Sequence, residues 1–321
     1  MKLESIYLLL VPALLSVSCS SDPEQSGSER VPIELHASGG GTVTTKADQT
    51  ITESFPTTVF ASLRDGDYTG LTSISPAGYE WIKDTEVAIN GTVSLPDDPA
   101  YPENGSWIYL IAVSPQVSSS YQSAAGTVSY TLTGQDDLMY ARQIKGNRWD
   151  GSRFSNNADQ ALVTPLNYIH LLTQLKFKAQ KAAVQGLPVK VSSITVKGVA
   201  NRMTLNINNG EATFEENSDL SLILAEGGKE ISSTNASDLG ALLLPPLGSG
   251  KSYKVTIETS IGKFEDLSID FTGSGNPSDN LFAKGHSYEI TFNISDSKLE
   301  ILSVTVASWE PVPSGDIDLI D

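Results

Sequence analysis

Residues 31–38 read VPIELHAS, and they decide the fold class because apolar and polar side chains alternate along them. Successive side chains of a β-strand point to opposite faces, so this period of two predicts a strand with one buried face. Pro32 has no backbone N–H donor and is therefore expected near the start of the strand. The side chains expected on the buried face are Val31, Ile33, Leu35 and Ala37.

The same pattern recurs along the rest of the chain. In residues 251–259, KSYKVTIET, the apolar side chains of Tyr253, Val255 and Ile257 alternate with polar ones. Clusters of Gly, Asn, Asp and Pro separate such stretches, and no stretch carries a sustained helical period. Short strands with frequent turns favour an all-β protein, here two antiparallel β-sandwiches in tandem.

The best candidate for a domain boundary is the polar segment 145–160, KGNRWDGSRFSNNADQ, which is rich in Gly and Asn. We therefore expect an N-terminal sandwich over residues 31–155 and a C-terminal sandwich over residues 156–321. A chain of 321 residues also agrees with two domains of ~150 residues each.

Acidic residues dominate the charge. The chain has 38 Asp and Glu against 21 Lys and Arg, which gives a formal net charge of −17. Nucleic acids are bound through clusters of Lys and Arg, so this charge argues against a nucleic-acid partner. A single cysteine, Cys19, leaves neither an intramolecular disulfide nor a cysteine-based zinc site.

Residues 1–18 have the features of an export signal. Lys2 precedes an apolar run over residues 6–15, which is too short to cross a bilayer as a helix. The sequence LSVSC that ends at Cys19 resembles the lipobox of bacterial lipoproteins, in which the cysteine is lipidated. Acyl chains such as palmitate on Cys19 would hold the protein at a membrane, with polar residues 19–30 as a flexible tether. A signal peptide with an incidental cysteine is the alternative.

The motifs that could carry chemistry are incomplete. Residues 248–252, GSGKS, resemble the end of a P-loop, but Pro245 replaces the opening Gly and a strand pattern follows. Residues 65–70, DGDYTG, imitate a calcium loop, but Pro76 stands where a bidentate Glu is needed. The histidines lie far apart in sequence and are interpreted as structural. They are His36, His170 and His286.

We therefore expect no catalytic residue, no cofactor and no metal site, and a protein that is not an enzyme. No G-x-S-x-G nucleophile motif is present in the sequence. A secreted hydrolase stays as a third hypothesis, because paired carboxylates in a cleft cannot be seen in a sequence.

The four tryptophans suggest glycan binding as a different function, because exposed indole rings can stack on sugars. Trp107 and Trp309 lie in alternating apolar patterns and are expected in the core or at its edge. Trp81 and Trp149 lie beside turns, and they keep glycan stacking as an alternative.

Several short motifs, in their order and spacing, resemble those of a known family. Together with the lipobox at Cys19, they make the chain similar over essentially its whole length to the fimbrillin-like (type V pilin) lipoproteins of Bacteroidota. The motifs are TKA at 45–47, DLMYA at 137–141, LNYIH at 166–170, LKF at 175–177, LLLPP at 242–246, KGHSYEI at 284–290 and VASW at 306–309.

The resemblance implies two transthyretin-like β-sandwich domains, and assembly with other fimbrial subunits into fimbriae on the outer membrane by strand exchange. In that family a trypsin-like processing protease cuts after a basic residue in the loop that follows the first strand, often Arg before Ala. The matching bond here joins Lys46 to Ala47, which a strictly Arg-specific protease would not cut. Arg30 is an alternative basic site, but a cut there would remove only the tether.

The residues themselves agree with such a mechanism. After a cut at Lys46, residues 31–38 would be held only by ladder hydrogen bonds and their apolar side chains, so the strand is expected to be displaceable. Its loss would leave an apolar groove that a strand from the next subunit can fill.

The candidate donor strand is the tail 310–321, in which only Ile317 and Leu319 alternate with acidic residues. A stalk subunit is expected to offer more apolar side chains, so tip, stalk and anchor roles all stay open. The leading hypothesis is a structural or accessory fimbrial subunit that is exported as a lipoprotein to the cell surface. The alternative is a surface glycan-binding lipoprotein.

Overall fold

A computed structural model describes residues 30–39, 51, 53–72, 78–155, 165–183, 188–225, 227–271, 281–295, 298–307 and 309. The expectations for Cys19, for the bond between Lys46 and Ala47, and for Ile317 and Leu319 fall outside these residues. The same holds for the export signal and for the tether up to residue 29.

The described residues form strands and connecting segments only, which confirms an all-β protein. Among them, no helix is long and apolar enough to cross a membrane. The strands are β1 (Leu35–Gly39), β2 (Phe55–Ser62), β3 (Trp81–Val87), β4 (Thr92–Val93), β5 (Ile108–Ser114), β6 (Thr127–Thr131), β7 (Met139–Gly146), β8 (Leu166–His170), β9 (Thr173–Lys181), β10 (Val189–Asn206), β11 (Glu211–Ile223), β12 (Lys229–Ile231), β13 (Ser237–Leu244), β14 (Tyr253–Thr259), β15 (Gly262–Ile269), β16 (Ser287–Ile294) and β17 (Leu299–Ala307).

The first sheet closes on itself as a barrel, in the order β1, β4, β3, β2, β5, β7, β8. Neighbouring strands are antiparallel except for β1 and β8, which pair in parallel and complete the ring. All seven strands contribute side chains to one buried cluster, with Leu35, Val93 and Tyr168 among its members. This cluster is the barrel interior, because inward side chains alternate with outward ones along each strand.

Strand β5 buries both of its faces, which explains why its sequence is a continuous apolar run. Leu110 and Ala112 join the barrel cluster, whereas Ile111 and Val113 join a second core. Phe60 on the neighbouring strand β2 also belongs to the second core. The outer face of the barrel is therefore packed against protein where these two strands lie.

The second core lies between two further sheets. One has the order β11, β10, β14, β15, with β6 and β12 also paired to β10, and the other has the order β13, β9, β16, β17. Val255 and Ile257 from the first of these sheets join Phe177 and Phe292 from the other in one buried cluster. The rings of Phe177 and Phe292 stack with their centroids 6.1 Å apart. Apolar packing between the sheets thus supplies the largest core of the described chain.

Strand pairing crosses the expected division between residues 155 and 156 in both directions. Tyr130 on β6 pairs with Met203 on β10, while Ala141 on β7 pairs with Tyr168 on β8. The described residues from Val31 onward belong to one compact unit. The barrel and the two further sheets are thus a less simple arrangement than two sandwiches in tandem, and the division at residue 155 stays a prediction.

A buried polar cluster joins the end of β8 to the end of the described chain. His170 Nδ1 lies 2.8 Å from Asp137 Oδ1, and Trp309 Nε1 donates to Asp137 Oδ2 at 3.2 Å. The imidazole of His170 stacks on the indole of Trp309, with ring centroids 3.8 Å apart. His170 is thus placed in a structural contact, and Trp309 is buried as expected. Asp137 thus connects Trp309, the last described residue, to the end of β8.

We expect Asp137→Ala to lower the free energy of unfolding by about 1–3 kcal/mol, because the polar nitrogens of His170 and Trp309 lose their shared acceptor. Urea denaturation followed by far-UV circular dichroism measures the change. The control is Asp150→Ala, whose side chain is 93% exposed and pairs with Arg153 at 3.2 Å. That variant should stay within about 0.5 kcal/mol of the wild type, and equal losses in both would contradict a bridging role for Asp137.

Candidate functional site

Strand β1 is the closing strand of the barrel, with a neighbour on each side. Towards β4 the ladder holds two residue pairs and towards β8 it holds three. These pairs are Leu35 with Val93, His36 with Thr92, Ala37 with Leu166, Ser38 with Asn167 and Gly39 with Tyr168. Each ladder is short, so few hydrogen bonds to other strands hold β1 in place.

The residues before β1 extend this contact along another segment. Ile33 N–H donates to the Pro99 carbonyl at 2.8 Å, and Tyr101 N–H donates to the Val31 carbonyl at 3.0 Å. Pro32 forms an isolated bridge with Ala100. The strand expected over residues 31–38 is therefore a bridge at Pro32 followed by a regular strand that begins at Leu35. The regular strand begins late because β4 is short and leaves residues 33 and 34 without a regular ladder.

The side chains of this segment alternate as the sequence predicts. Ile33 is 6% exposed, and Leu35 and Ala37 are each 1% exposed, while Val31 is partly buried. All three buried side chains belong to the cluster that fills the barrel. The segment is therefore held mainly by apolar burial rather than by its ladders.

Next to β1, Tyr168 of β8 is fully buried in the same cluster. Its hydroxyl lies 2.7 Å from Thr57 Oγ1, which donates to the Val113 carbonyl at 2.7 Å. The ring of Phe55 meets Tyr168 edge to face, with centroids 5.0 Å apart. Burial raises the pKa of the Tyr168 phenol above its usual value, and the hydrogen bond with Thr57 opposes this rise. The phenol therefore stays neutral and adds no charge to the barrel interior.

Two glycines allow the backbone of β1 to approach its neighbours closely. Gly39 has a φ of +94°, and a Cβ there would lie 2.3 Å from the Tyr168 carbonyl oxygen. Gly91 accepts from Ala37 N–H at 2.7 Å, and a Cβ there would lie 2.5 Å from the His36 ring. Strand β1 ends at Gly39.

Two of the four tryptophans, Trp81 and Trp107, differ in exposure from what the sequence indicated. Trp81 is 5% exposed and belongs to the barrel cluster, so its ring is not available for stacking on a sugar. Its position at the start of β3 places it on the inward face, although a turn region precedes it. Trp149 is 59% exposed, with the Arg148 guanidinium 5.7 Å from its ring. Trp107, expected in the core or at its edge, is 40% exposed.

A protein family matches the chain in sequence, and solved structures match it in fold. Residues 33–309 match the sequence profile of the fimbrillin-like family, a match that begins just before β1 and ends at Trp309. The chain belongs to the fimbrillin-like family. No curated protein matches it.

Two solved structures share the fold of this fimbrillin-like chain. A “putative cell adhesion protein” from Bacteroides uniformis is 15% identical and superposes with a TM-score of 0.57, covering 89% of this chain and 100% of its own. Another “putative cell adhesion protein”, from Bacteroides ovatus, is 14% identical with a TM-score of 0.58, covering 89% of this chain and 99% of its own.

The resemblance recognised in the sequence is thus confirmed for the family. The sequence alone did not identify Tyr168 as part of the β1 site. Tyr168 lies within the family motif at residues 166–170, which was the available signal. No group of three His, Cys, Asp or Glu side chains that could hold a metal occurs within the described ranges.

We expect Gly39→Ala to lower the free energy of unfolding more than Gly70→Ala does. Both glycines have positive φ, +94° and +77°, so each variant loses about 1–2 kcal/mol to a left-handed conformation. Only the Cβ at residue 39 meets backbone atoms, since nothing lies within 4 Å of the one at residue 70. Urea denaturation of both variants gives the difference, and equal losses would contradict the close packing of β1 on β8.

Proposed function

We propose that this fimbrillin-like protein is a structural or accessory subunit of cell-surface fimbriae that assembles by proteolysis-triggered strand exchange. The observation that supports the proposal best is the way residues 31–39 are held. Three inward side chains are almost fully buried, whereas the ladders on the two sides of β1 hold only two and three residue pairs.

Because the ladders are short, the intact chain between β1 and β2 decides whether the strand stays in the barrel. Full burial of Ile33 and of Leu35 is worth about 1.5–3 kcal/mol each, which holds the segment while it remains part of the chain. Before a cut, a segment that leaves the barrel stays tethered nearby and returns. After a cut between Lys46 and Ala47, the segment can diffuse away.

The empty position would then accept a replacement strand. Loss of β1 frees the backbone groups of Thr92 and Val93 on one side and of residues 166–168 on the other, and it opens the apolar interior. Such an edge is a template for another strand. A donor strand from the next subunit links subunits head to tail, and this open arrangement grows a filament.

The donor in this proposal is the tail 310–321, with Ile317 and Leu319 as its inward side chains. Twelve residues span roughly 40 Å when fully extended, which is long enough to reach a neighbouring subunit. The tail has few apolar side chains and carries Asp316, Asp318 and Asp321. A tip or anchor position therefore stays as well supported as a position in the stalk.

Export and anchoring complete the proposal. Residues 1–18 would act as the signal peptide, lipidated Cys19 would hold the protein on the outer membrane until the cut at Lys46, and residues 19–30 would act as the tether. The two transthyretin-like domains would meet near residue 155, with β6 and β8 each pairing across the division. In this role the protein is not an enzyme.

Limited trypsin digestion of the purified, folded protein tests the exchange. We expect a first cut at Lys46, then loss of the 31–46 segment seen by mass spectrometry, then polymers seen by size-exclusion chromatography and electron microscopy. Lys46→Gln should keep residues 31–46 attached and stay monomeric, since a cut at Arg30 removes only the tether. A wild-type protein that is cut at Lys46 and keeps the segment, or that loses it and stays monomeric, would contradict the proposal.

A disulfide that ties β1 to β4 separates cutting from release. His36 and Thr92 are register partners, so His36→Cys with Thr92→Cys, in a Cys19→Ser background, places the two thiols across one ladder. The oxidised variant should be cut at Lys46 but stay monomeric, and a reductant should start polymer growth. Polymers formed while the disulfide is intact would show that β1 does not have to leave.

Substitutions in the tail test the donor by itself. Ile317→Asp with Leu319→Asp should leave cutting and release unchanged but prevent polymer growth, because the open barrel no longer receives an apolar strand. Normal polymer growth in this variant would rule out the tail as the donor.

A further inference from the structure

A cleft of about 760 Å³ opens on the outside of the barrel, where β7 separates from β8. Strand β7 pairs with β8 only from Met139 to Ala141, and β8 then continues beside β1. The cleft lies beside residues 142–145 of β7, which follow the last residue paired with β8. Its walls include Trp107, Arg142, Lys145, Ser152, Asn167 and Ile169.

A β-bulge in β7 lies beside this opening. Leu110 pairs with Ile144, and Ala112 pairs with Ala141, so the two residues Arg142 and Gln143 stand opposite the single residue 111. A bulge bends its strand and redirects side chains, and bulges are common beside functional sites. Here the bulge places Arg142 and Lys145 in the wall of the same cleft.

The cleft is cationic in a strongly acidic protein. Arg142 and Lys145 are exposed, and neither forms an ion pair in the described part of the chain. None of the described residues that line the cleft is Asp or Glu. Elsewhere basic side chains form ion pairs with carboxylates, as Lys197 does with Asp219 at 2.6 Å. Two unpaired cations in one cleft of a chain with net charge −17 indicate a site for an anionic group.

An aromatic surface lies beside these cations. The indole of Trp107 is 40% exposed, and Lys145 Nζ lies 5.1 Å from its ring centroid. Ser152 and Asn167 add neutral hydrogen-bonding groups. A partly exposed indole with a few polar groups around it suits a ligand that has both an apolar ring face and hydroxyls.

The wall that carries Ser152 is held in place by its own hydrogen bonds. Asn147 N–H donates to the Ser152 carbonyl at 2.9 Å, and Ser152 N–H donates to the Trp149 carbonyl at 3.0 Å. Phe154 N–H donates to the buried Tyr101 hydroxyl at 2.6 Å. A wall fixed in this way favours a preformed site, which loses little entropy when a ligand binds.

We propose that this cleft binds an acidic saccharide, with a sugar ring on Trp107 and its carboxylate between Arg142 and Lys145. The site is separate from Trp149 and from the position of β1, and it does not require strand exchange. The function it adds is recognition of charged glycans by the folded, uncut subunit.

Isothermal titration of the uncut protein with acidic oligosaccharides tests the site. The probes are oligogalacturonate, alginate oligomers, hyaluronan oligomers and sialyllactose, with methyl-esterified oligogalacturonate and lactose as uncharged counterparts. We expect binding to at least one acidic probe that exceeds its uncharged counterpart and weakens as salt is added. Binding to none of the acidic probes, or equal binding to charged and uncharged forms, would overturn the proposal.

Substitutions locate the binding. Trp107→Ala should weaken binding about tenfold, as expected for the loss of one aromatic stacking contact. Arg142→Gln with Lys145→Gln should remove the preference for the charged form. Trp149→Ala is the matched control, because its indole is exposed but lies outside the cleft lining. Wild-type affinity in the cleft variants, or a loss confined to Trp149→Ala, would place the binding elsewhere.

An acidic peptide is the competing occupant. A synthetic peptide with the sequence of residues 310–321, EPVPSGDIDLID, carries acidic groups without a sugar ring. If this peptide binds in a manner that depends on Arg142 and Lys145 while the saccharides do not bind, the cleft receives a neighbouring subunit and the saccharide proposal is wrong. Circular dichroism of every variant separates lost binding from lost folding.

Discussion

Closure of the barrel rests on one short strand that comes from the start of the described chain. Strand β1 joins β4 to β8, and its inward side chains fill part of the interior. Its ladders are short, so the main attraction is apolar burial, which has no directional requirement. A second strand with apolar side chains at the same spacing can therefore satisfy the position. The feature that keeps the barrel closed is also the one that makes an exchange of strands feasible.

The rest of the chain gives this replaceable strand a rigid frame. Strands β2 and β5 are buried on both faces, so the barrel wall that they form is also part of the second core. Asp137 adds a polar connection, because it holds His170 at the end of β8 and Trp309 before the tail. Strands β2 and β5 pair with each other over five residues, so we expect this wall to stay in place during an exchange.

The two proposed sites lie along the same strand but differ in chemistry. One edge of β8 pairs with β1, where backbone groups and apolar side chains would receive a strand. On its outer side, Asn167 and Ile169 face the cleft with Arg142 and Lys145, where charge and an indole ring would receive a sugar. Assembly and recognition would thus use separate surfaces of a single barrel, so a subunit could bind a glycan without losing its place in a filament.

The all-β class, the inward set Ile33, Leu35 and Ala37, and the membership of the fimbrillin-like family followed from the sequence. Each depends on local periodicity or on short motifs, which a sequence displays directly. The partners of each strand do not, because pairing joins residues far apart in the chain. For that reason the sequence did not predict that β6 and β8 pair across the expected division at residue 155, or that β1 closes a barrel.

The tryptophans show the same limit at single residues. Trp81 stands beside a turn but faces the barrel interior, whereas Trp107 stands in an apolar run but opens onto the cleft. A sequence shows which side chains share a face of a strand, and here it determined the strand class and the inward set. Only the tertiary structure decided which faces are covered, because burial depends on the elements that pack against each strand and on bulges such as the one at Arg142 and Gln143.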